Sequence, residues 1–367
     1  MSAQVLVFAP SLGMGGADRV LLTLLEHFDR AKLQPTLALV HRDGPWLAEV
    51  PRDVRVIDLE ARRLATSVVA LVRVLRSEQP DIVFSLQGGT NVIAALAHLV
   101  ARSRARLVLS ERSPLVRPDR SRGRLAIELP LKRAAYRRAD VITSLSNGVA
   151  RELHERLGVP RAKLRVIYNP TVDTRIGELA TESVEHPWFH DGVPIIVAVG
   201  RLVEIKDYPT LLAAFARVRA ARRVRLVVLG DGPLRRTLDN LVASLGIGDD
   251  VAFLGFDKNP FKYVARARVM AHTSRAEGLG SAIVQALACG TPVVATDCDF
   301  GPRELIESGQ NGFLVPVGDS AAVADRILEI VGDDALRDRM SRRAVALADD
   351  FTVATSVARF EAALCGD

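Results

Sequence analysis

Short, unbroken apolar segments alternate with segments of helical periodicity along almost the whole chain. The first apolar segment covers residues 5–10, and residues 19–28 after it place apolar side chains on one face of a helix. Further strand candidates in the first half are residues 35–41, 81–86, 105–110, 140–146 and 164–169. Helix candidates lie between them, near 64–78, 90–101, 121–138 and 146–157. Continuous apolar strands that alternate with helices are typical of a parallel sheet covered on both faces, so the pattern predicts an α/β fold.

The pattern is interrupted at residues 171–192 and then starts again. This segment is polar, contains one proline and two glycines and has no clear periodicity, so we interpret it as a linker. Strand candidates resume at residues 193–200, 224–230, 250–255, 268–274, 291–297 and 312–317, and three helical segments close the chain. A chain of 367 residues suits two domains. The sequence therefore predicts two doubly wound, Rossmann-like domains, residues 1–170 and 193–351, with ligands bound in an interdomain cleft beyond the carboxyl ends of the strands.

Composition narrows the range of partners and compartments. The net charge of +6 favours anionic partners such as phosphorylated small molecules, acidic lipids or nucleic acid, although a solvated basic surface has the same composition. The three cysteines form no CxxC pair, so we expect a reducing cytosol and no disulfide framework. The amino-terminal apolar run lacks a preceding basic region and is interpreted as a strand, and no run approaches the length of a membrane span. The histidines show no HxH or HxxxH pattern, so no zinc site is expected.

Two cations flank a strand-to-helix loop in the second half. Arg201 follows a predicted strand, and Lys206 precedes a predicted helix. Two such cations five residues apart could converge on one diphosphate, where their charge would stabilise a departing nucleoside diphosphate. A pair of solvated loop cations is the alternative that the spacing alone leaves open.

An acidic residue, Glu277, precedes a glycine-rich turn and an apolar helix. Gly278 and Gly280 allow a ligand to approach the backbone closely, and Ser281 is a natural N-cap. Free N–H groups at a helix start suit phosphate or sugar oxygens. Eight residues of helix rise about 12 Å, so Glu277 could hold sugar hydroxyls while Gln285 touches a ribose. The alternative is a buried helix with an incidental glutamate before it.

A second glycine-rich turn, GMGGADRV at residues 13–20, opens the first helix. Gly15 and Gly16 are followed by Asp18, so the GxGxxG dinucleotide fingerprint is absent and a nicotinamide oxidoreductase is not expected. The turn could bring the backbone close to an anion or to a transferred sugar, or it could be a turn without a ligand.

The segment 117–138 is strongly basic and partly amphipathic. Its cations are Arg117, Arg120, Arg122, Arg124, Lys132, Arg133, Arg137 and Arg138, and apolar residues such as Ile127 and Leu131 stand between them. A basic amphipathic helix can lie on an anionic bilayer, and a solvated basic helix face is the alternative. Aromatic interleaving of the kind that stacks on bases is missing, so no nucleic acid is expected as a partner.

Together these motifs resemble the retaining glycosyltransferases of the GT-B type, which have two Rossmann-like domains, and among them family 4 (glycosyl transferases group 1). The resemblance covers nearly the whole chain. Its segments GGADRV, VGRLVEIKD, GDGPL, SRAEGLGSAIVQALACGTPVVATD and GPRELIESGQNGFLVPVGD follow the family's order and spacing. The likeness extends to bacterial members that build cell-surface glycans on lipid carriers.

The resemblance implies an activity and a location. It implies transfer of a hexose or N-acetylhexosamine from a nucleotide-diphosphate sugar, with UDP favoured, to a hydroxyl of a glycan or lipid-linked acceptor, with retention of configuration. The leaving phosphate would help to deprotonate the acceptor, so no protein nucleophile is required. No metal or other cofactor is implied, because two cations and a helix terminus supply positive charge. The implied enzyme is cytoplasmic and peripheral on the inner face of the membrane. Its acceptor lies on residues 1–170, its donor on 193–351, and a last helix of about 352–367 packs back on the first domain.

The family's site residues carry over to individual positions. Arg201 and Lys206 match its cations on the donor diphosphate, and Glu277 matches its first acidic residue, on the hydroxyls of the transferred sugar. Gly15 and Gly16 match the glycine loop near the donor phosphate and the acceptor. The other positions of the implied donor site are Gly230, Gly278, Leu279, Gly280, Ser281 and Gln285.

Three positions depart from the family pattern. Gln285 stands where a second glutamate grips the ribose, and its amide loses charge assistance worth about 1 kcal/mol. Glu111 or Arg112 stands in the loop where many members have a histidine that faces the reacting sugar, and Asp18 replaces a commoner glutamate.

Two other functions remain open on the same scaffold. One is a UDP-sugar epimerase, although the chain lacks an obvious carboxylate and histidine cluster for cleaving and re-adding UDP. The other is a non-catalytic nucleotide-sugar-binding partner, which Gln285 favours.

Overall fold

The computed structural model describes residues 2–13, 15–116, 122–173 and 175–366. The chain divides into two compact units. The first holds the described residues up to Val116, those from 122 to Pro170 and those from Val353 onward. The second extends from Thr171 to Thr352.

The first unit is built on a sheet of seven parallel strands. These are β1 (Ala3–Ala9), β2 (Leu33–Leu39), β3 (Arg55–Asp58), β4 (Ile82–Ser85), β5 (Arg106–Glu111), β6 (Val141–Ser144) and β7 (Leu164–Val166), in the order β3-β2-β1-β4-β5-β6-β7. Its helices are α1 (Gly16–His27), α2 (Ser67–Glu78), α3 (Gly88–Ala101), α4 (Arg122–Arg138) and α5 (Asn147–Leu157). The strand order reverses between β1 and β4, which is where ligands bind in sheets of this kind.

The second unit repeats this arrangement with six parallel strands. These are β8 (Ile195–Val199), β9 (Arg225–Leu229), β10 (Val251–Gly255), β11 (Val269–His272), β12 (Val293–Thr296) and β13 (Gly312–Val315), in the order β10-β9-β8-β11-β12-β13. Its helices are α6 (Ile176–Thr181), α7 (Tyr208–Ala221), α8 (Arg235–Ser244), α9 (Phe261–Val264), α10 (Ser281–Ala288), α11 (Pro302–Leu305), α12 (Ser320–Gly332) and α13 (Asp334–Leu347). The predicted α/β class with two Rossmann-like, doubly wound sheets is confirmed.

The last helix, α14 (Val353–Cys365), belongs to the first unit. Phe360 is fully buried, and its ring centroid lies 6.0 Å from that of Phe84 in β4. The Glu361 carboxylate accepts hydrogen bonds from the backbone N–H of Asp29 at 2.7 Å and from Lys32 Nζ at 2.9 Å. An apolar face and a half-buried ion pair therefore hold this helix beside α1 and β4.

Two predictions about the elements are corrected. β3 was missed because the two ends of this edge strand are exposed and polar, so no continuous apolar run marks it. The interpretation of 171–192 as a linker is wrong, because the segment belongs to the second unit and contains α6. The carbonyl of Leu179 accepts a hydrogen bond from Asn259 at 2.8 Å, and that of Ala180 accepts one from Arg266 at 2.8 Å. Side chains about eighty residues away in sequence thus order a segment that lacks a periodic pattern.

The basic segment differs in part from its prediction as well. Arg117 and Arg120 lie outside the described residues. Lys132 is buried instead of exposed, so it adds nothing to a basic surface. Within the described part of the chain, no helix combines the length and the apolar character needed to cross a bilayer.

Candidate active site

The charged side chains of the second unit lie at the carboxyl edge of its sheet. Lys206 ends a short 3-10 turn that follows β8, and His272 is the last residue of β11. Ser274 and Glu277 follow β11 in the loop that leads to α10. Because β8 and β11 are parallel neighbours on either side of the reversal in strand order, their loops meet at one place.

Three donors converge on one oxygen of the Glu277 carboxylate. Lys206 Nζ lies 2.5 Å from Oε1 of Glu277, Ser274 Oγ lies 2.7 Å from it, and His272 Nε2 lies 2.8 Å from it. The Glu277 side chain is 13% exposed and the His272 side chain 4% exposed. Burial alone would raise the pKa of Glu277, but the charge of Lys206 and the hydrogen bonds from His272 and Lys206 outweigh it and hold this pKa well below its ordinary value. Glu277 is therefore an ionised acceptor of hydrogen bonds.

The loop that carries Lys206 is fastened to the loop that carries Glu277. The Arg275 N–H donates to the carbonyl of Ile205 at 2.8 Å, and Thr273 Oγ1 donates to the carbonyl of Lys206 at 3.1 Å. The Arg275 guanidinium also pairs with the buried Asp207 carboxylate, with Nε 3.0 Å from Oδ2. These bonds fasten the two loops to each other beside the Lys206–Glu277 pair.

Glycines allow the loops at this edge to pack backbone against backbone. Gly301 has φ +80°, and a Cβ there would lie 2.2 Å from the carbonyl oxygen of Leu279. Gly230 has φ +131°, and a Cβ there would lie 2.1 Å from the carbonyl oxygen of Gly200. Larger residues at positions 230 and 301 would push these loops apart, so both glycines shape the site without offering a side chain.

The start of α10 differs from its prediction. The N-cap is Gly280, in the left-handed conformation with φ +97°, and Ser281 is the first helical residue. The prediction that Ser281 is the N-cap is therefore wrong. Gln285 lies about one turn into the helix and is half-buried, and the spacing of eight residues from Glu277 includes a loop. The estimate of a 12 Å helical rise between them does not apply.

Two side chains of the implied donor site have no protein partner within the described residues. Arg201 is exposed and its guanidinium makes no hydrogen bond or ion pair there, and the Gln285 amide makes none either. Lys206 is held by Glu277, whereas the charge of Arg201 is available to an anion. The described residues also bring no three His, Cys, Asp or Glu side chains together as metal ligands.

In the first unit, Asp18 shapes the glycine turn that precedes α1. Its carboxylate accepts hydrogen bonds from the Gly15 N–H at 3.1 Å and from Gln87 Nε2 at 3.3 Å. Burial raises the pKa of Asp18, against the lowering effect of these two hydrogen bonds. A Cβ on Gly15 would lie 3.0 Å from this carboxylate, whereas Gly16 has open space around it. Asp18 thus joins the turn to the start of α3.

Glu111 and Arg112, at the end of β5, both turn inward. Glu111 is fully buried, and its Oε2 accepts hydrogen bonds from Lys132 Nζ at 2.6 Å and from the Tyr136 hydroxyl at 2.5 Å. The Arg112 guanidinium lies 5.7 Å from the ring centroid of Phe360, and burial lowers the pKa of Arg112 to about 10. These contacts tie Glu111 to α4 and Arg112 to α14.

Two family models match the chain in succession. Glycosyltransferase Family 4 matches residues 14–175, and Glycosyl transferases group 1 matches residues 182–346. Together they match residues of both units and most of the chain. The chain belongs to the family 4 glycosyltransferases. It is accordingly an enzyme of the GT-B fold that transfers glycosyl groups.

Several relatives of this glycosyltransferase are similar over nearly its whole length. The N-acetylgalactosamine-N,N'-diacetylbacillosaminyl-diphospho-undecaprenol 4-alpha-N-acetylgalactosaminyltransferase of Campylobacter jejuni is 29% identical and aligns over 94% of each chain. The lipopolysaccharide core biosynthesis glycosyltransferase LpsE of Rhizobium meliloti is 28% identical over 90% of this chain and 89% of its own. Among solved structures, Anabaena HepE in complex with UDP has a TM-score of 0.82 at 25% identity, covering 97% of this chain and 98% of that chain.

His272 and Ser274 were missed as site residues in the sequence of this glycosyltransferase. His272 ends an apolar strand and has no metal-binding spacing to another histidine, so neither pattern marks it. The positions of His272 and Ser274 could have identified them, because polar residues at the carboxyl end of an apolar strand lie at the ligand-binding edge of a parallel sheet.

Replacing Glu277 by glutamine keeps its size but removes the charge that faces Lys206. Because folding lowers the pKa of Glu277 below its ordinary value of 4.5, the carboxylate contributes stability above that pH and loses it as the pH falls toward the folded value. We expect Glu277→Gln to lower the free energy of unfolding by about 1–3 kcal/mol near neutral pH. The difference should shrink steadily below about pH 4.5. Urea unfolding over a pH series measures it.

Glu307→Gln is the matched control for this change. Glu307 pairs with Arg343 at the surface, with 2.8 Å between Oε2 and Nη2, and exposed pairs contribute about 0–1 kcal/mol. A cost of Glu277→Gln that stayed constant down to about pH 3.5 would contradict the lowered pKa.

Proposed function

We propose that this enzyme transfers a hexose or N-acetylhexosamine from a UDP-linked sugar to a hydroxyl of a glycan or lipid-linked acceptor in bacterial cell-surface glycan synthesis. The observation that carries the proposal is the ionised Glu277 held beside Lys206, with the unpaired Arg201 on the same strand-to-helix loop. Solved complexes of HepE with UDP and with UDP-glucose support the donor. The names of the Campylobacter and Rhizobium relatives, which refer to a diphospho-undecaprenol substrate and to lipopolysaccharide core, support the acceptor class.

Each residue has a chemical task in this proposal. Glu277 accepts hydrogen bonds from hydroxyls of the transferred sugar, and Gln285 contacts the ribose. Arg201 offers a planar fork to the diphosphate and Lys206 a compact charge, so both stabilise the negative charge that develops on departing UDP. Because these cations supply the charge, we propose that no metal or other cofactor takes part.

The proposal includes retention of configuration. The acceptor oxygen bonds to C1 of the sugar on the face that UDP leaves, the C1–O bond to UDP breaks, and the hydroxyl proton passes to a phosphate oxygen of UDP. Glu277 suits the part of a hydrogen-bond acceptor better than that of a nucleophile, because three donors already occupy one of its oxygens. The Campylobacter relative is named for an alpha linkage, which is the retained configuration for an α-linked UDP-sugar donor.

We also propose that α4 rests on the anionic inner face of the cytoplasmic membrane. Ile127 and Leu131 lie one turn apart on its outer side and are 68% and 51% exposed. Arg133 and Arg137 are exposed on the same helix. Exposed apolar side chains flanked by cations fit an interface with acidic headgroups.

Thermal unfolding against UDP-, GDP- and dTDP-sugars tests the donor. A ligand at 100 times its Kd adds about 2.7 kcal/mol, so one UDP-sugar should raise the unfolding temperature by several degrees. Lys206→Ala should abolish most of this rise. Lys262→Ala is the matched control, because Lys262 is also ion-paired, 3.1 Å from Asp257, and is 18% exposed against 23% for Lys206. A rise that persists in Lys206→Ala, or none with any UDP-sugar, would contradict the proposed donor site.

The anomer released when water replaces the acceptor tests retention. Slow hydrolysis of an α-linked UDP-sugar should release the α-sugar first, before mutarotation, because attack occurs on the face that UDP leaves. Proton NMR of the anomeric signal in the first minutes measures it, and Lys206→Ala should slow the release. Initial release of the β-sugar would show inversion instead.

Vesicle co-sedimentation tests the membrane surface. The enzyme should bind vesicles that contain phosphatidylglycerol more tightly than pure phosphatidylcholine vesicles, and added salt should weaken the binding. Ile127→Ser with Leu131→Ser should weaken it about tenfold or more, because two apolar side chains no longer insert. Phe256→Ser with Val345→Ser removes two exposed apolar side chains of the second unit and serves as control. Equal binding by the two double variants would refute the role of α4.

A further inference from the structure

We propose that His272, assisted by Ser274, is a positioning residue that fixes the Glu277 carboxylate for the transferred sugar, an inference that rests on the proposed function. The hydrogen bonds from both residues reach the same oxygen, Oε1, that Lys206 contacts. The other oxygen, Oε2, accepts no hydrogen bond within the described residues, although the side chain is partly exposed. One oxygen of Glu277 is thus anchored, and the other is left for a ligand hydroxyl.

The hydrogen positions follow from the ionised state of Glu277. An ionised carboxylate only accepts hydrogen bonds, so the Nε2 of His272 must carry a hydrogen. The Ser274 hydroxyl points its hydrogen at the same Oε1, and its oxygen lies 3.1 Å from His272 Nε2, where it can share the ring N–H. When the imidazole is neutral, neither the His272 ring N–H nor the Ser274 hydroxyl adds a net charge beside Glu277.

The backbone holds both donors in place. His272 is paired in the sheet with Ala295 of β12, and its side chain is almost fully buried. The carbonyl of Ser274 accepts a hydrogen bond from Thr296 Oγ1 at 2.5 Å. Glu277 is thus anchored to the rigid strand edge and not only to the flexible side chain of Lys206.

This anchor matters because Lys206 would bind two different groups, the Glu277 carboxylate and the donor diphosphate. In the structure its ammonium lies on Glu277, whereas in the proposed reaction it serves the diphosphate of the donor. When a diphosphate draws Lys206 away, His272 and Ser274 still hold Oε1, and the carboxylate gains strength as an acceptor for the sugar. Loss of His272 should therefore weaken recognition of the sugar and leave recognition of the nucleotide largely intact.

Isothermal titration measures this separation. It compares the Kd of UDP with the Kd of the UDP-sugar that stabilises the enzyme most. His272→Leu should raise the Kd of the UDP-sugar about tenfold and lower kcat, because a hydrogen bond to a charged group is lost. The Kd of UDP should change less than about twofold. His272→Gln should restore most of the sugar affinity, since its side-chain amide N–H can replace the ring N–H, and Ser274→Ala should give a smaller loss of the same kind.

His98→Leu is the matched control. His98 is also buried, and its Nε2 lies 2.8 Å from the carbonyl oxygen of Ala105 in the first unit. This variant should lower the unfolding temperature without changing the ratio of the two Kd values. An unchanged ratio in both His272→Leu and Ser274→Ala would overturn the positioning role and leave the proposed function standing. A wild-type enzyme that binds neither UDP nor any UDP-sugar would overturn both.

Discussion

The ion pair between Lys206 and Glu277 is the interaction on which the proposed donor site depends. A carboxylate with so little exposure loses most of its hydration, and a buried charge costs several kcal/mol unless a partner and further hydrogen bonds replace the water. Here the Lys206 ammonium and the hydrogen bonds from His272 and Ser274 replace it. Because Lys206 and Glu277 come from different loops, the pair also requires those loops to be fastened, which the bonds of Arg275 and Thr273 accomplish.

Each unit contains a glutamate that is paired with a lysine, and the two glutamates differ in exposure. Glu111 in the first unit also pairs with a lysine at the carboxyl end of a strand, 2.6 Å from Lys132, with the Tyr136 hydroxyl on the same oxygen. Glu111 is fully buried, so its charge organises α4 against the sheet and is closed to solvent. The Glu277 side chain, in contrast, is 13% exposed. Exposure, and not the identity of the partners, therefore distinguishes the two carboxylates.

The sequence predicts the two sheets well because most of their strands are buried on both faces and form continuous apolar runs. It fails for β3, where exposed Arg55 and Asp58 break the run, and for 171–192, which long-range hydrogen bonds from Asn259 and Arg266 hold. Lys206 and Glu277 stand out as charges in loops after strands. The role of His272 depends on where β11 ends, and that of Gly280 depends on a left-handed backbone turn. Neither property can be predicted from residue type alone.

Gln285 has two opposite electrostatic consequences in the proposed donor site. In the proposal, Arg201 and Lys206 attract the diphosphate, and the same loop also carries the acidic residues Glu204 and Asp207. A second glutamate at position 285, one turn into α10, would add a further negative charge to the proposed site, whereas the amide adds none and leaves the attraction for the diphosphate undiminished. The amide gives up a charge-assisted hydrogen bond to the ribose, worth about 1 kcal/mol. In the proposed site, a neutral residue at this position would therefore weaken the contact with the ribose and keep the attraction for the diphosphate, without removing the residues that would stabilise the leaving group.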